Sequence, residues 1–148
     1  MFVHSFFIFI TEVEEGHEGP RSVAVLYHRE LTERIIGLAI EVHRHSGPGL
    51  LESFYAAALC RELERAGIRV RREVGIPAIY KGEPLPLGFR ADILVDEAVI
   101  LEIKAVPALL PVHDMQLQTY LRMSGLPVGL LFNFHAPRLK DGLRRFVG

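Results

Sequence analysis

Residues 88–106 carry two apolar runs of strand length, GFRADILVD and AVILEIKAV, joined tightly around Asp96 to Ala98. Alternation places Phe89, Ala91, Ile93 and Val95 on one face of the first run, and Arg90, Asp92 and Leu94 on the other. In the second run Val99, Leu101 and Ile103 share a face, and Ile100, Glu102 and Lys104 the opposite one. In a hairpin, directly opposed residues lie on the same face. A three-residue loop of Asp96, Glu97 and Ala98 pairs Val95 with Val99. Counting outward, it sets Asp92 opposite Glu102 and Arg90 opposite Lys104. A slip by one residue would bury the wrong set on both strands, so the pattern favours this register.

Two opposed carboxylates repel each other unless a cation lies between them. Magnesium suits such a pair, because it takes one or two carboxylates and keeps several waters for substrate phosphates. Lys104, two residues from Glu102 on the same face, could orient a metal-near water, lower its pKa, or stabilise charge on a phosphate. The plain alternative is an exposed face on which Arg90, Asp92, Glu102 and Lys104 neutralise one another as surface ion pairs.

Elsewhere the hydrophobic spacing is legible. Leu31, Ile35, Leu38, Ala39 and Val42 recur at three and four residues and predict a helix over 31–44. SGPG breaks it, and a second helix is expected from about Leu51 to Ala66, stopped by Gly67. IRVRREV and GIPAIY read as two strands, with KGEP as the turn after them. HDMQLQTYLRMSG reads as a helix ended by Gly125, PVGLLFNF as an apolar strand, and LKDGLRRFVG as a turn with a short strand. The expected order is α-α-β-β-β-β-α-β-(β), a mixed sheet with helices packed on it. Residues 1–25 are expected to be an appendage, either disordered or an added strand, and residues 26–148 the domain.

Two further acids and amides join the candidate set. Glu52 shares a helix face with Tyr55, Ala56 and Leu59, so it is expected to point inward, although a first-turn glutamate favoured by the helix dipole has the same sequence appearance. Gln116 and Tyr120, four apart, share a face of the later helix, with His113 and Met123 nearby.

Composition excludes several classes. A single cysteine, Cys60, rules out a disulfide framework and a cysteine-rich zinc site, and fits a reducing, cytoplasmic setting. His43 and His45 stand two apart, which points them in different directions on a helix. MFVHSFFIFI is half the length needed to span a bilayer, so no membrane partner is expected. A formal charge of −1 lacks the basic excess of a non-specific duplex binder. Arginines at 61, 65, 69, 71, 72, 138, 144 and 145, with Lys140, could steer nucleic acid, or could form solvated faces balanced by Glu62, Glu64 and Glu73. The hydrophobic content, 49%, is compatible with a homodimer.

In combination these phrases resemble the GxxExxY proteins of the PD-(D/E)XK nuclease-like superfamily: GPGLLESFY, FRADILV, LEIKAV and QLQTYLRMSGLPVGLLFNF, over roughly residues 30–148. The resemblance implies an α/β fold of α+β type, with a restriction-endonuclease-like core: a central four-stranded mixed sheet flanked by helices, with additions. It implies a metal-dependent nuclease hydrolysing DNA or RNA with Mg²⁺ or Mn²⁺. Asp92 and Glu102, helped by the Ile103 carbonyl and by Glu52, would bind the metal, and Lys104 would activate the attacking water. Gln116 and Tyr120 would brace the site or touch the strand. The name-giving proline position holds Ala91. The alternative is a non-catalytic nucleic-acid-associated or protein-interaction module that keeps the fold.

Overall fold

The computed structural model describes residues 20–148, so residues 1–19 of the expected appendage lie outside the described residues. The elements run α1 (Pro20–Ser46), α2 (Glu52–Arg65), β1 (Val70–Tyr80), β2 (Glu83–Val95), β3 (Val99–Lys104), α3 (Pro111–Ser124), β4 (Val128–Asn133), a 3₁₀ turn (Leu139–Gly142) and β5 (Leu143–Val147). α1 passes unbroken through residue 25.

The five strands form one sheet in the order β1-β2-β3-β4-β5, an α+β fold with a restriction-endonuclease-like core. All neighbours are antiparallel except β3 and β4, which are parallel and joined through α3. A parallel pair cannot be closed by a tight turn, so a crossover helix between them is the expected solution. The mixed sheet thus has five strands, in keeping with a four-stranded core that carries additions.

α1 and α2 cover one face. There Ile35, Ala39, Leu59 and Leu63 pack with Ile93, Val95, Leu101, Leu130 and Phe132. α3 covers the other face, where Leu117, Tyr120 and Leu121 meet Ile76, Leu94, Ile100 and Leu131. Coverage on both sides explains why all six residues of β4 are buried and why that segment reads as a continuous apolar run. Gly129 lets α3 lie close, since a Cβ there would come within 2.9 Å of the Leu117 side chain.

Three details of the sheet differ from the sequence expectation. IRVRREV and GIPAIY form a single strand, because the ladder to β2 continues through Val74, Gly75 and Ile76 against Ala91, Arg90 and Phe89. Three strands, not four, therefore precede α3. The hairpin that follows turns at Lys81 and Gly82, whose φ values of 51° and 81° fit a two-residue type I′ turn.

The β2–β3 pairing begins as expected, with Val95 opposite Val99, but it ends at Ile93–Leu101. Asp92–Glu102 and Arg90–Lys104 are not ladder pairs. The single-face grouping of Phe89, Ala91, Ile93 and Val95 also fails. Phe89 and Ala91 pack with the α3 cluster, while Ile93 and Val95 pack beneath α1 and α2. The change falls at Asp92, opposite Glu73, the one position skipped between Arg72–Ile93 and Val74–Ala91. Glu73 has a left-handed backbone, φ 52°, which breaks the pleat and rotates both strands.

Candidate functional site

Because the ladder stops at Ile93–Leu101, Asp92 and Glu102 are free to bond across the gap through their side chains. The Asp92 carboxylate accepts from the Ile103 N–H at 2.7 Å, and the Asp92 N–H donates to Glu102 Oε1 at 3.3 Å. The two carboxyl groups stand close enough for each to shift the titration of the other.

Glu102 is buried. Burial first, and the Asp92 charge second, push its carboxyl up to about 8. Asp92 is raised as well. Burial is the main cause there, against the lowering effects of the Ile103 N–H and the Lys104 ammonium. Lys104 therefore lies close enough to act on both acids. A buried acid pair of this kind needs a proton or a cation to be stable.

Glu52 reaches the same place from the other side of the sheet. It opens α2, and its carboxylate accepts from the Ala105 N–H at 3.0 Å, one residue past Lys104. Its charge is felt at Asp92. The side chain is exposed rather than turned into the apolar face, so the inward expectation is corrected. The Ala105 backbone amide holds it at the C-terminal end of the central strand β3, while Tyr55, Ala56 and Leu59 of the same face are buried.

Tyr120, on α3, is buried beside the acid pair. Burial and the charges of Glu102 and Asp92 raise its hydroxyl, and the exposed Gln116 side chain bonds it. Phe89 packs on the Tyr120 ring at 5.4 Å between centroids. His113, grouped with these residues in the sequence, instead takes the Leu110 N–H at the start of α3.

The oxygen donors suit a hard divalent ion. Among the described residues no three His, Cys, Asp or Glu side chains are arranged to hold an ion alone. An acid pair that leaves the remaining positions to water suits such an ion without an all-protein cage.

Sequence reasoning missed the residues that hold the surrounding loops. Tyr55 is fully buried and stacked on Phe134 at 4.5 Å. Its hydroxyl donates to the Gly47 carbonyl at 2.6 Å and accepts from the Leu50 N–H at 3.1 Å. Gly47 and Gly49 take φ values of 68° and 104° in that loop, which side chains with a Cβ rarely adopt. Asn133 is buried at the end of β4 and holds the loop after β3, with its amide on the Val106 carbonyl and its oxygen accepting from Val106 and His135. The apolar spacing around Asn133 carried no signal of that role.

Two cavities lie elsewhere. One of about 790 Å³ is lined by Arg69, Arg71, Arg72 and Glu97, at the end of the sheet away from the acids. Arg69 and Arg71 there are tied to Asp96 and Glu97, which pins the β2–β3 turn to β1.

A mixed sheet flanked by helices, with an acid pair and a lysine where two central strands part, defines a protein with a restriction-endonuclease-like core. The family comparison agrees: residues 29–146 match the PD-(D/E)XK nuclease superfamily, and the chain belongs to it. No curated protein and no solved structure matches it. Members of that superfamily generally use divalent metal ions. Among the described residues no helix is long and apolar enough to cross a membrane.

Proposed function

We propose that the protein is a nuclease of the GxxExxY type, acting in the cytoplasm and hydrolysing a phosphodiester of DNA or RNA with Mg²⁺ or Mn²⁺. The observation that carries this reading is the pairing of buried Glu102 with half-buried Asp92, with Lys104 beside them, on a chain of the PD-(D/E)XK superfamily. Asp92 and Glu102, with Glu52 and the Ile103 carbonyl, would hold the ion. When bound, the ion polarises the scissile phosphate and lowers the pKa of a bound water.

The remaining work falls to the chain. Asp92 is kept in place by the Ile103 N–H. With its proton released to solvent, Glu102 would offer the ion a charged carboxylate beside that of Asp92. Lys104 orients the attacking water and offsets charge that builds on the phosphate. Glu52, fixed by Ala105, adds a third acid at the C-terminal end of β3. Gln116 and Tyr120 close the side under α3 and brace the strand.

The test is cleavage of labelled single-stranded DNA, duplex DNA and RNA in Mg²⁺ or Mn²⁺ by wild type and Lys104→Ala. Metal-dependent cutting by the wild type should fall about 100-fold or more in the variant, the scale of one positioned acid–base group. Cutting that survives in the variant would refute the role of Lys104. No cutting by either protein would favour the accessory module that keeps the fold.

A further inference from the structure

The rim of this site is apolar and carries few cations. Among the described residues ten large hydrophobic side chains are exposed, and six of them lie in the two segments beside the acids: Leu50, Leu51 and Phe54 at the start of α2, and Leu110, Val112 and Met115 at the start of α3. The exposures are large, at 76% for Leu51, 47% for Phe54, 59% for Val112 and 61% for Met115. Leu51 and Phe54 flank Glu52. Val112 lies one turn before Gln116 on the Gln116–Tyr120 face.

The same segments lack positive charge. Residues 46–60 and 105–121 contain no lysine or arginine. Arg144, which reaches the first turn of α3, is paired with Asp114. Lys104 and the exposed Arg90 are what the central strands supply.

A duplex is gripped mainly through its phosphates by cations. This rim cannot do that, but it can bind bases. An aromatic side chain stacks on an unpaired base without reference to sequence, and apolar side chains wedge between neighbouring bases. We propose, resting on the nuclease reading, that the substrate is a nucleic-acid strand with unpaired bases. Phe54 and Leu51 contact bases on one side of the cut, and Val112 and Met115 on the other, so that one phosphate is presented to Asp92 and Glu102. A duplex would enter only where its end has opened.

The experiment is fluorescence anisotropy in Ca²⁺, with wild type and Phe54→Ala/Met115→Ala. The labelled probes are a short DNA strand, an RNA strand of the same sequence, the corresponding duplex, and an abasic strand of equal length. The DNA or RNA strand, or both, should bind about ten-fold or more tighter than the duplex and the abasic strand, with the scale set by base stacking. If only one of the two strands binds, the result supports the inference and fixes the sugar. The double variant should lose that preference while keeping the wild-type circular dichroism spectrum.

Equal binding of the abasic strand or the duplex, or unchanged binding by the double variant, would overturn the inference. So would no binding of any probe, or a wild-type dimer by sedimentation that the double variant dissolves. Cleavage in Mg²⁺ separates the two readings. Cutting that ignores the bases leaves the nuclease and removes this inference. Base-dependent binding without any cutting does the reverse.

Discussion

The acid pair should make the metal-free protein less stable as pH rises. In the fold Glu102 titrates at about 8 against an ordinary value of 4.5, so the folded state binds this proton more tightly than the unfolded chain does. A raised carboxyl contributes stability that is complete below its unfolded pKa and is lost as pH climbs through its folded one. Between about pH 5 and about pH 8 the loss is about 3 kcal/mol, from roughly 1.4 kcal/mol per pH unit within the window. For a chain of this size that corresponds to a fall in Tm of roughly 6–12 °C. Asp92 and Glu33 are raised too and act in the same direction, while His28 is lowered and acts in the opposite one.

The variant Glu102→Gln isolates the term, because an amide does not titrate. Melting curves followed by circular dichroism in a chelator, across that window, should show the wild type losing stability and Glu102→Gln changing far less, so that the variant melts higher at the alkaline end. Saturating Mg²⁺ or Mn²⁺ should raise the wild-type Tm most at the alkaline end, where protons no longer compete for the carboxylates. A wild-type Tm that is flat or rises with pH, or a slope that is the same in Glu102→Gln, would refute the raised titration of Glu102.

Other substitutions test the scaffold. Tyr55→Phe removes the hydroxyl that joins Gly47 to Leu50, and should cost about 1–2 kcal/mol in chemical denaturation. Glu73→Gly relieves a left-handed backbone in a residue with a Cβ, and should shift the urea midpoint upward by up to about 1 kcal/mol of stability. Gly142→Ala puts a methyl 2.6 Å from the Asn133 carbonyl and 2.8 Å from Ala136, and should lower the melting point through about 1–3 kcal/mol of overpacking.

Much of the fold was legible because periodicity reports burial directly. The helix over 31–44, the Gly125 stop and the Val95–Val99 pairing each follow from a local pattern, and α3 ends at Gly125 with the left-handed φ of 70° that glycine takes readily. The illegible parts depend on contacts between distant segments. Gly75 looked like a break between strands, yet its backbone is held in the ladder by Arg90. The rotation at Glu73 and Asp92 has no glycine to announce it. Strict alternation therefore carried Phe89 and Ala91 to the wrong face, and carried the ladder three residues too far. The acids were grouped by residue type and spacing, whereas what brings them together is the parting of the strands. A regular ladder would use the Ile103 N–H for a backbone carbonyl. Here it is spent on the Asp92 side chain.

The segment GPGLLESFY shows why a carboxylate can stand among apolar residues at the start of a helix. Glu52 is not buried by the apolar face of α2. Its position is fixed by its neighbours, three residues away on each side. Gly49 turns the chain with a φ of 104°, and Tyr55 is locked in the core against Phe134 with its hydroxyl on the loop backbone. Glycine, glutamate and tyrosine are therefore parts of one device. The tyrosine anchors the loop, the glycine sets its path, and the glutamate is delivered to the Ala105 N–H at the end of β3. A tyrosine that only filled the core could be exchanged for phenylalanine with little effect at the end of β3. A tyrosine that positions Glu52 could not. Tyr55→Phe should thus reduce both cleavage and melting temperature, whereas Glu52→Gln should reduce cleavage and leave the melting temperature nearly unchanged, because an exposed side chain contributes little to stability. If Tyr55→Phe lowered the melting temperature and left cleavage intact, Tyr55 would be packing alone, and the spacing of glycine, glutamate and tyrosine would need a different explanation.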